Sequence, residues 1–122
     1  MNSIKKWEKN PNKRIVGSFY EQRVQAYLVT QGYLVLQMNY RCKIGEIDII
    51  AKENDYIIFI EVKYRKNNQL GYPREAVNYV KQQKIRKVAS YYMLCQYGYE
   101  VACRFDVVEV WPHQINHLKN AF

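Results

Sequence analysis

At 122 residues the chain can bury one two-layer core but not two. Its 48% hydrophobic and 25% charged content excludes general disorder, and nineteen Lys and Arg against eleven Asp and Glu give a net charge of +8, which favours a polyanionic partner. No apolar run is long enough to cross a bilayer, and Lys5, Lys6, Lys9, Lys13 and Arg14 are not followed by a signal-peptide core, so a soluble, cytoplasmic protein is expected.

Residues 1–14 read as a flexible basic arm, with Asn10-Pro11-Asn12 as a breaker, followed by a domain over 15–111 and a C-terminal tail over 112–122. From Ile15 to Gln31 the residues Tyr20, Val24, Tyr27 and Leu28 recur at helical spacing, and Gly32 stands where a C-terminal cap belongs. Three β-rich runs follow: from Tyr33 to about Cys42, from Gly45 to Ala51, and from Tyr56 to Arg65. Pro73 suits the first turn of a second helix, whose apolar positions Val77, Val80, Val88, Tyr92 and Cys95 lead to Gly98. Val101 to Val110 is a fourth strand, stopped by Trp111-Pro112. The order α-β-β-β-α-β predicts an α/β fold, a mixed sheet covered by helices, with the second helix crossing over to the fourth strand.

Within these strands sit ionisable residues where apolar ones belong: Asp48 in Ile47-Asp48-Ile49-Ile50, and Glu61 and Lys63 in Phe59-Ile60-Glu61-Val62-Lys63. Burying an isolated charge is costly enough that such groups shift their pKa, pair or bind a metal. Alternation puts Glu61 and Lys63 on one face and Glu46 and Asp48 on one face. A two-residue Asn54-Asp55 turn sets Asp48 opposite Glu61 and Glu46 opposite Lys63. A turn centred on Glu53-Asn54 sets Glu46 opposite Glu61 with Asp48 diagonal to it, and a slip of one residue would separate the pairs.

Glu21 falls within the apolar stripe of the first helix, one turn after Gly17, and Lys84 lies on the inward side of the second. Clustered carboxylates are hard ligands suited to Mg²⁺ or Mn²⁺, with Asp48 and Glu61 as ligands and Lys63 placed to orient an attacking water or stabilise a phosphorane. Arg41, Arg65 and Lys84 would hold flanking phosphates.

Asp48 followed by Glu61-Val62-Lys63 resembles the D…(D/E)-x-K signature of the restriction-endonuclease-like (PD-(D/E)XK) nuclease superfamily. More closely, Gly17-x-x-x-Glu21, Gly32-Tyr33, Asn39-x-Arg41, Gly45-Glu46-Ile47-Asp48, Phe59-Ile60-Glu61-Val62-Lys63-x-Arg65 and Gly71-x-Pro73 resemble the YraN family of small bacterial proteins, related to archaeal Holliday-junction resolvases. The resemblance covers residues 14 to 110 and implies a Mg²⁺-dependent nuclease on DNA, with branched or damaged DNA as one substrate and a homodimer as one assembly. It implies a metal held by Asp48 and Glu61, a catalytic Lys63, and Glu21 in the place of a helix acid; Glu46 is left open between ligand and rim charge.

Simpler readings stand beside these. Glu61, Lys63 and Asp48 could form a salt bridge on a solvent-facing strand, and the same fold could serve as a non-catalytic nucleic-acid-binding or scaffold module. Lys81, Lys84, Arg86 and Lys87 could be an ordinary solvated helix face. His113 and His117 have helical i, i+4 spacing but no acidic or thiol neighbour in the sequence, so no zinc is expected there. Cys42, Cys95 and Cys103 read as reduced core residues.

Overall fold

The computed structural model describes residues 11–65 and 77–122, with side chains from Phe19 onward. The elements are α1 (Pro11–Thr30), β1 (Leu34–Arg41), β2 (Glu46–Glu53), β3 (Tyr56–Tyr64), α2 (Tyr79–Tyr97), β4 (Cys103–Trp111) and β5 (Gln114–Leu118). They form the expected α/β architecture, a mixed sheet in the order β1-β2-β3-β4-β5 in which β3 and β4 run parallel and the other neighbours antiparallel. α2 lies in the crossover between the parallel pair, as the element order requires.

Helix α1 is already formed at Pro11, four residues before the expected start, and residues 1–10 of the expected basic arm lie outside the described residues. The proline read as a breaker instead suits a first helical turn, because its missing N–H would be unpaired there anyway. The helix closes where Gly32 takes a left-handed φ of 89° and Tyr33 N–H donates to Leu28 O at 2.9 Å. For α2, the Asn78 side chain caps the start by accepting from Lys81 N–H at 2.9 Å, and Gly98, with φ 80°, ends it. The expected start at Pro73 and the Gly71-x-Pro73 turn lie outside the described residues.

Two apolar clusters fill the faces of the sheet. On the α1 side Val24 and Leu28 meet Ile49, Ile58, Ile60, Val62 and Val108. On the α2 side Ile85, Val88, Tyr92 and Met93 meet Ile50, Ile57, Phe59, Phe105 and Val107. Val80, 75% exposed, and the exposed Cys95 are not part of that stripe. Val77, Val88 and Tyr92 of the expected stripe are buried, and Ile85, Ala89 and Met93 complete it. All three cysteines are free; Cys42 and Cys103 pack against the α2-side cluster.

The expected tail is part of the sheet. After a Pro112-His113 turn, β5 pairs with β4 from Trp111↔Gln114 to Val107↔Leu118, and the Phe122 ring stacks on Phe105 at 5.3 Å. The sequence reading ended the sheet at Trp111-Pro112, but Asn116 and His117 of β5 meet buried carboxylates of β4. No helix among the described residues is long and apolar enough to cross a membrane.

Candidate metal and nucleic-acid site

The β2–β3 hairpin turns at Asn54-Asp55, where Asn54 takes a left-handed φ of 55°. Pairing runs from Glu53↔Tyr56 to Ile49↔Ile60, the register that aims Asp48 at Glu61. Val62 N–H donates to Asp48 Oδ2 at 2.8 Å, so a side-chain oxygen serves where a main-chain carbonyl otherwise would.

On β1, across from Asp48, Asn39 also has a left-handed φ, 54°. The ribbon reverses its faces at this point. Met38 and its partner Ile49 pack on the α1 side, whereas Tyr40 and its partner Ile47 pack on the α2 side. Period-two alternation therefore cannot be carried from Asp48 to Glu46, as the sequence reading assumed. Glu46 is exposed and pairs with Arg41, 3.1 Å away.

Asp48, Glu61 and Lys63 do converge. Glu61 is only 6% exposed, and its Oε2 lies 2.8 Å from Lys81 Nζ and 3.7 Å from Lys63 Nζ. Burial, the charge of Glu61 and a hydrogen bond to Glu61 push Asp48 up to about 8. Burial would lower the Lys81 ammonium, but its hydrogen bond to Glu61 and the fields of Glu61, Asp48 and Glu46 outweigh that and raise it. Burial, then the charges of Glu21, Asp48 and Glu61, push the Tyr64 phenol up to about 12. Tyr64, whose ring lies 5.0 Å from Tyr20, thus feels all three acids. Glu21 reaches this region through Asn39, whose Nδ2 donates to Glu21 Oε2 at 2.9 Å.

Among the described residues, no three His, Cys, Asp or Glu side chains form a ready-made metal cage. What the chain offers is a pair of hard oxygen donors in a buried setting that disfavours two bare charges. This donor set fits Mg²⁺ or Mn²⁺, which are commonly held by one or two carboxylates plus water and substrate phosphate.

Beside the pair opens a cleft of about 430 Å³ lined by Arg41, Cys42, Gly45, Glu46, Lys81, Lys84 and Ile85. The Lys84 stem lies against Gly45, where an added Cβ would meet Lys84 Cγ and Cδ at 3.2 Å. Arg65 Nη2 lies 3.3 Å from Oε2 of the fully buried Glu109, an internal partner the sequence reading did not foresee. Lys81 was read only as one of a basic run. Its position four before Ile85 and seven before Val88, both buried, marks it as inward-facing.

Residues 20–110 match the model of UPF0102, described as an uncharacterised protein family. The chain belongs to the UPF0102 family. A UPF0102 protein of Lachnoclostridium phytofermentans is 47% identical over 112 residues, covering 91% of this chain and 95% of the relative. One of Clostridioides difficile is 49% identical over 113 residues, covering 91% and 99%. The crystal structure of SSO0001 aligns with 89% of this chain and 52% of its own at 16% identity and a TM-score of 0.43, too low for an argument about fold or function. Glu21, Asp48, Glu61, Lys63, Lys81 and Lys84 all fall within the segment that matches the UPF0102 model.

A second polar cluster joins β4 to β5. Asp106, 0% exposed, accepts from Arg104 Nε and Nη2, both at 2.9 Å, and from Asn120 N–H at 2.9 Å. His117 Nε2 lies 2.7 Å from Asp106 Oδ2 and its Nδ1 lies 3.0 Å from the Tyr27 hydroxyl, which suits the Nε2–H tautomer with Tyr27 donating. Burial would raise Asp106, but the bonds from His117, Arg104 and Asn120 hold it below the usual range. His117 therefore has the acidic partner that its sequence neighbours lacked. Asp106 and Glu109 carry the same signal as Asp48, ionisable residues inside an apolar strand, and applying that test to β4 finds them.

Proposed function

We propose that this protein is a divalent-metal-dependent nuclease of the restriction-endonuclease-like type, hydrolysing DNA phosphodiesters. The observation that carries this reading is the buried Asp48–Glu61 pair beside two lysines, next to a basic cleft. Asp48 and Glu61 would hold Mg²⁺ or Mn²⁺. When bound, such an ion supplies Lewis acidity toward the phosphoryl group and the attacking water.

The chain's own groups do the rest. Lys63, on the same strand face as Glu61, orients the water and stabilises charge on the phosphorane. Glu21, held by Asn39, adds negative potential behind the pair and keeps that side of the site polar. Arg41 and Lys84 engage the phosphates on either side of the scissile bond. Arg65 is engaged with Glu109, so its first task is to fix the end of β3 against β4. Branched or damaged DNA and a homodimer are compatible with an open cleft.

The test is cleavage of duplex, single-stranded and branched DNA by purified protein with Mg²⁺ or Mn²⁺. Glu61→Ala and Lys63→Ala should each abolish cleavage while the wild-type protein cuts at least one substrate. Intact DNA in every reaction would refute the enzymatic reading. A second reading, a non-catalytic nucleic-acid-binding or scaffold module, draws on the cleft cations, which need no metal to act. It predicts salt-sensitive binding that persists in chelator and after Asp48→Asn.

A further inference from the structure

Lys81 belongs to two surfaces at once. Its Nζ is the nearer of the two cations at Glu61, 2.8 Å away against 3.7 Å for Lys63. Yet its side chain is 46% exposed and lines the cleft together with Arg41 and Lys84. Lys63, less exposed and on the strand, lacks that second outlet. A divalent cation at Asp48 and Glu61 would face an ammonium already seated on one of its ligands, and the two repel. A four-carbon stem lets the ammonium leave while the helix stays in place.

We propose that Lys81 is a transferable counter-ion. Without a divalent cation it neutralises Glu61; with one bound it passes to a nucleic-acid phosphate in the cleft. Its contribution to nucleic-acid binding then exists only in the metal-loaded protein, and by linkage phosphate binding favours metal binding to the same degree. The inference rests on the reading of Asp48 and Glu61 as a divalent-cation site. Lys84 has no ion pair among the described residues, so its contribution is available in both states and it serves as the internal control.

The experiment measures binding of a short fluorescent DNA duplex by anisotropy, in chelator and in saturating Ca²⁺, with a gel to show that the duplex stays intact. Lys81→Met should weaken binding by less than about twofold in chelator and by about tenfold in Ca²⁺. Lys84→Met should cost the same factor in both buffers, and Lys81→Arg should keep most of the Ca²⁺-dependent gain. An equal loss for Lys81→Met with and without Ca²⁺ overturns the proposal while leaving the metal site standing. No effect of Ca²⁺ on wild-type binding, with no cation uptake by calorimetry, overturns the metal reading and this inference with it. If Lys81→Met does not fold, Lys81→Gln, which can still donate to Glu61 without a charge, carries the same comparison.

Discussion

Asp48→Asn should make the metal-free protein more stable, by an amount that grows with pH. The folded protein retains a proton on Asp48 up to about pH 8, whereas the unfolded chain loses it near the ordinary value of 3.8. The contribution of this group is complete below the lower value, drains as pH rises between the two, and is constant above the upper one. Each pH unit in that window is worth about 1.4 kcal/mol. Asparagine imitates the protonated acid: its oxygen can accept from Val62 N–H and its amide can donate to Glu61. The advantage of Asp48→Asn over wild type should therefore be about 3 kcal/mol larger at about pH 7 than at about pH 5. At this chain length that is roughly 12 °C in melting temperature. The assay is a thermal or urea unfolding series across that range in chelator, comparing the two proteins at each pH so that groups common to both cancel. A second series near pH 8.5 adds Mg²⁺, which at about a hundredfold its Kd should stabilise wild type by ~2.7 kcal/mol and the variant not at all. A difference between the proteins that stays flat with pH would refute the raised Asp48 value.

Asp106→Ala should cost about 3–5 kcal/mol in urea unfolding, because it strips Arg104 and His117 of their common buried partner. Since Asp106 is held below 3.8, its contribution is present above that pH and lost as the pH falls through the lower folded value, so acid unfolding should be less steep in the variant. Asn39→Val should lower stability by about 1–2 kcal/mol through its left-handed backbone, while Asn39→Gly stays near wild type in thermal melts. Arg41→Ala and Lys84→Ala should each reduce the slope of log binding constant against log salt by about 0.9, measured by NaCl titration of DNA binding.

Four of the five strands were legible: β2, β3 and β4 from apolar runs buried on each side, and the more exposed β1 from its β-rich composition. The hairpin register was narrowed to two choices, a turn at Asn54-Asp55 or one centred on Glu53-Asn54, and the observed Asn54-Asp55 turn aims Asp48 at Glu61. Three features were hidden for separate reasons. β5 is short and polar, and it is held by tertiary partners, Asn116 and His117 on Glu109 and Asp106 and Ile115 and Leu118 on the core clusters. The break in alternation between Ile47 and Ile49 lies opposite one left-handed residue on a different strand, Asn39, which no local pattern in β2 reveals. Lys81 was missed because it was counted only within the basic run Lys81, Lys84, Arg86 and Lys87, although it lies four residues before the buried Ile85 and seven before the buried Val88.

The Val62 amide gives the molecule a built-in gauge. Its proton ends on a carboxylate oxygen, and that carboxylate is the one asked to choose between a proton and a cation. Whatever occupies the acid pair must alter the partial charge felt by this one main-chain group, so its nitrogen resonance and solvent-exchange rate should register loading directly, with no substrate, no label and no turnover.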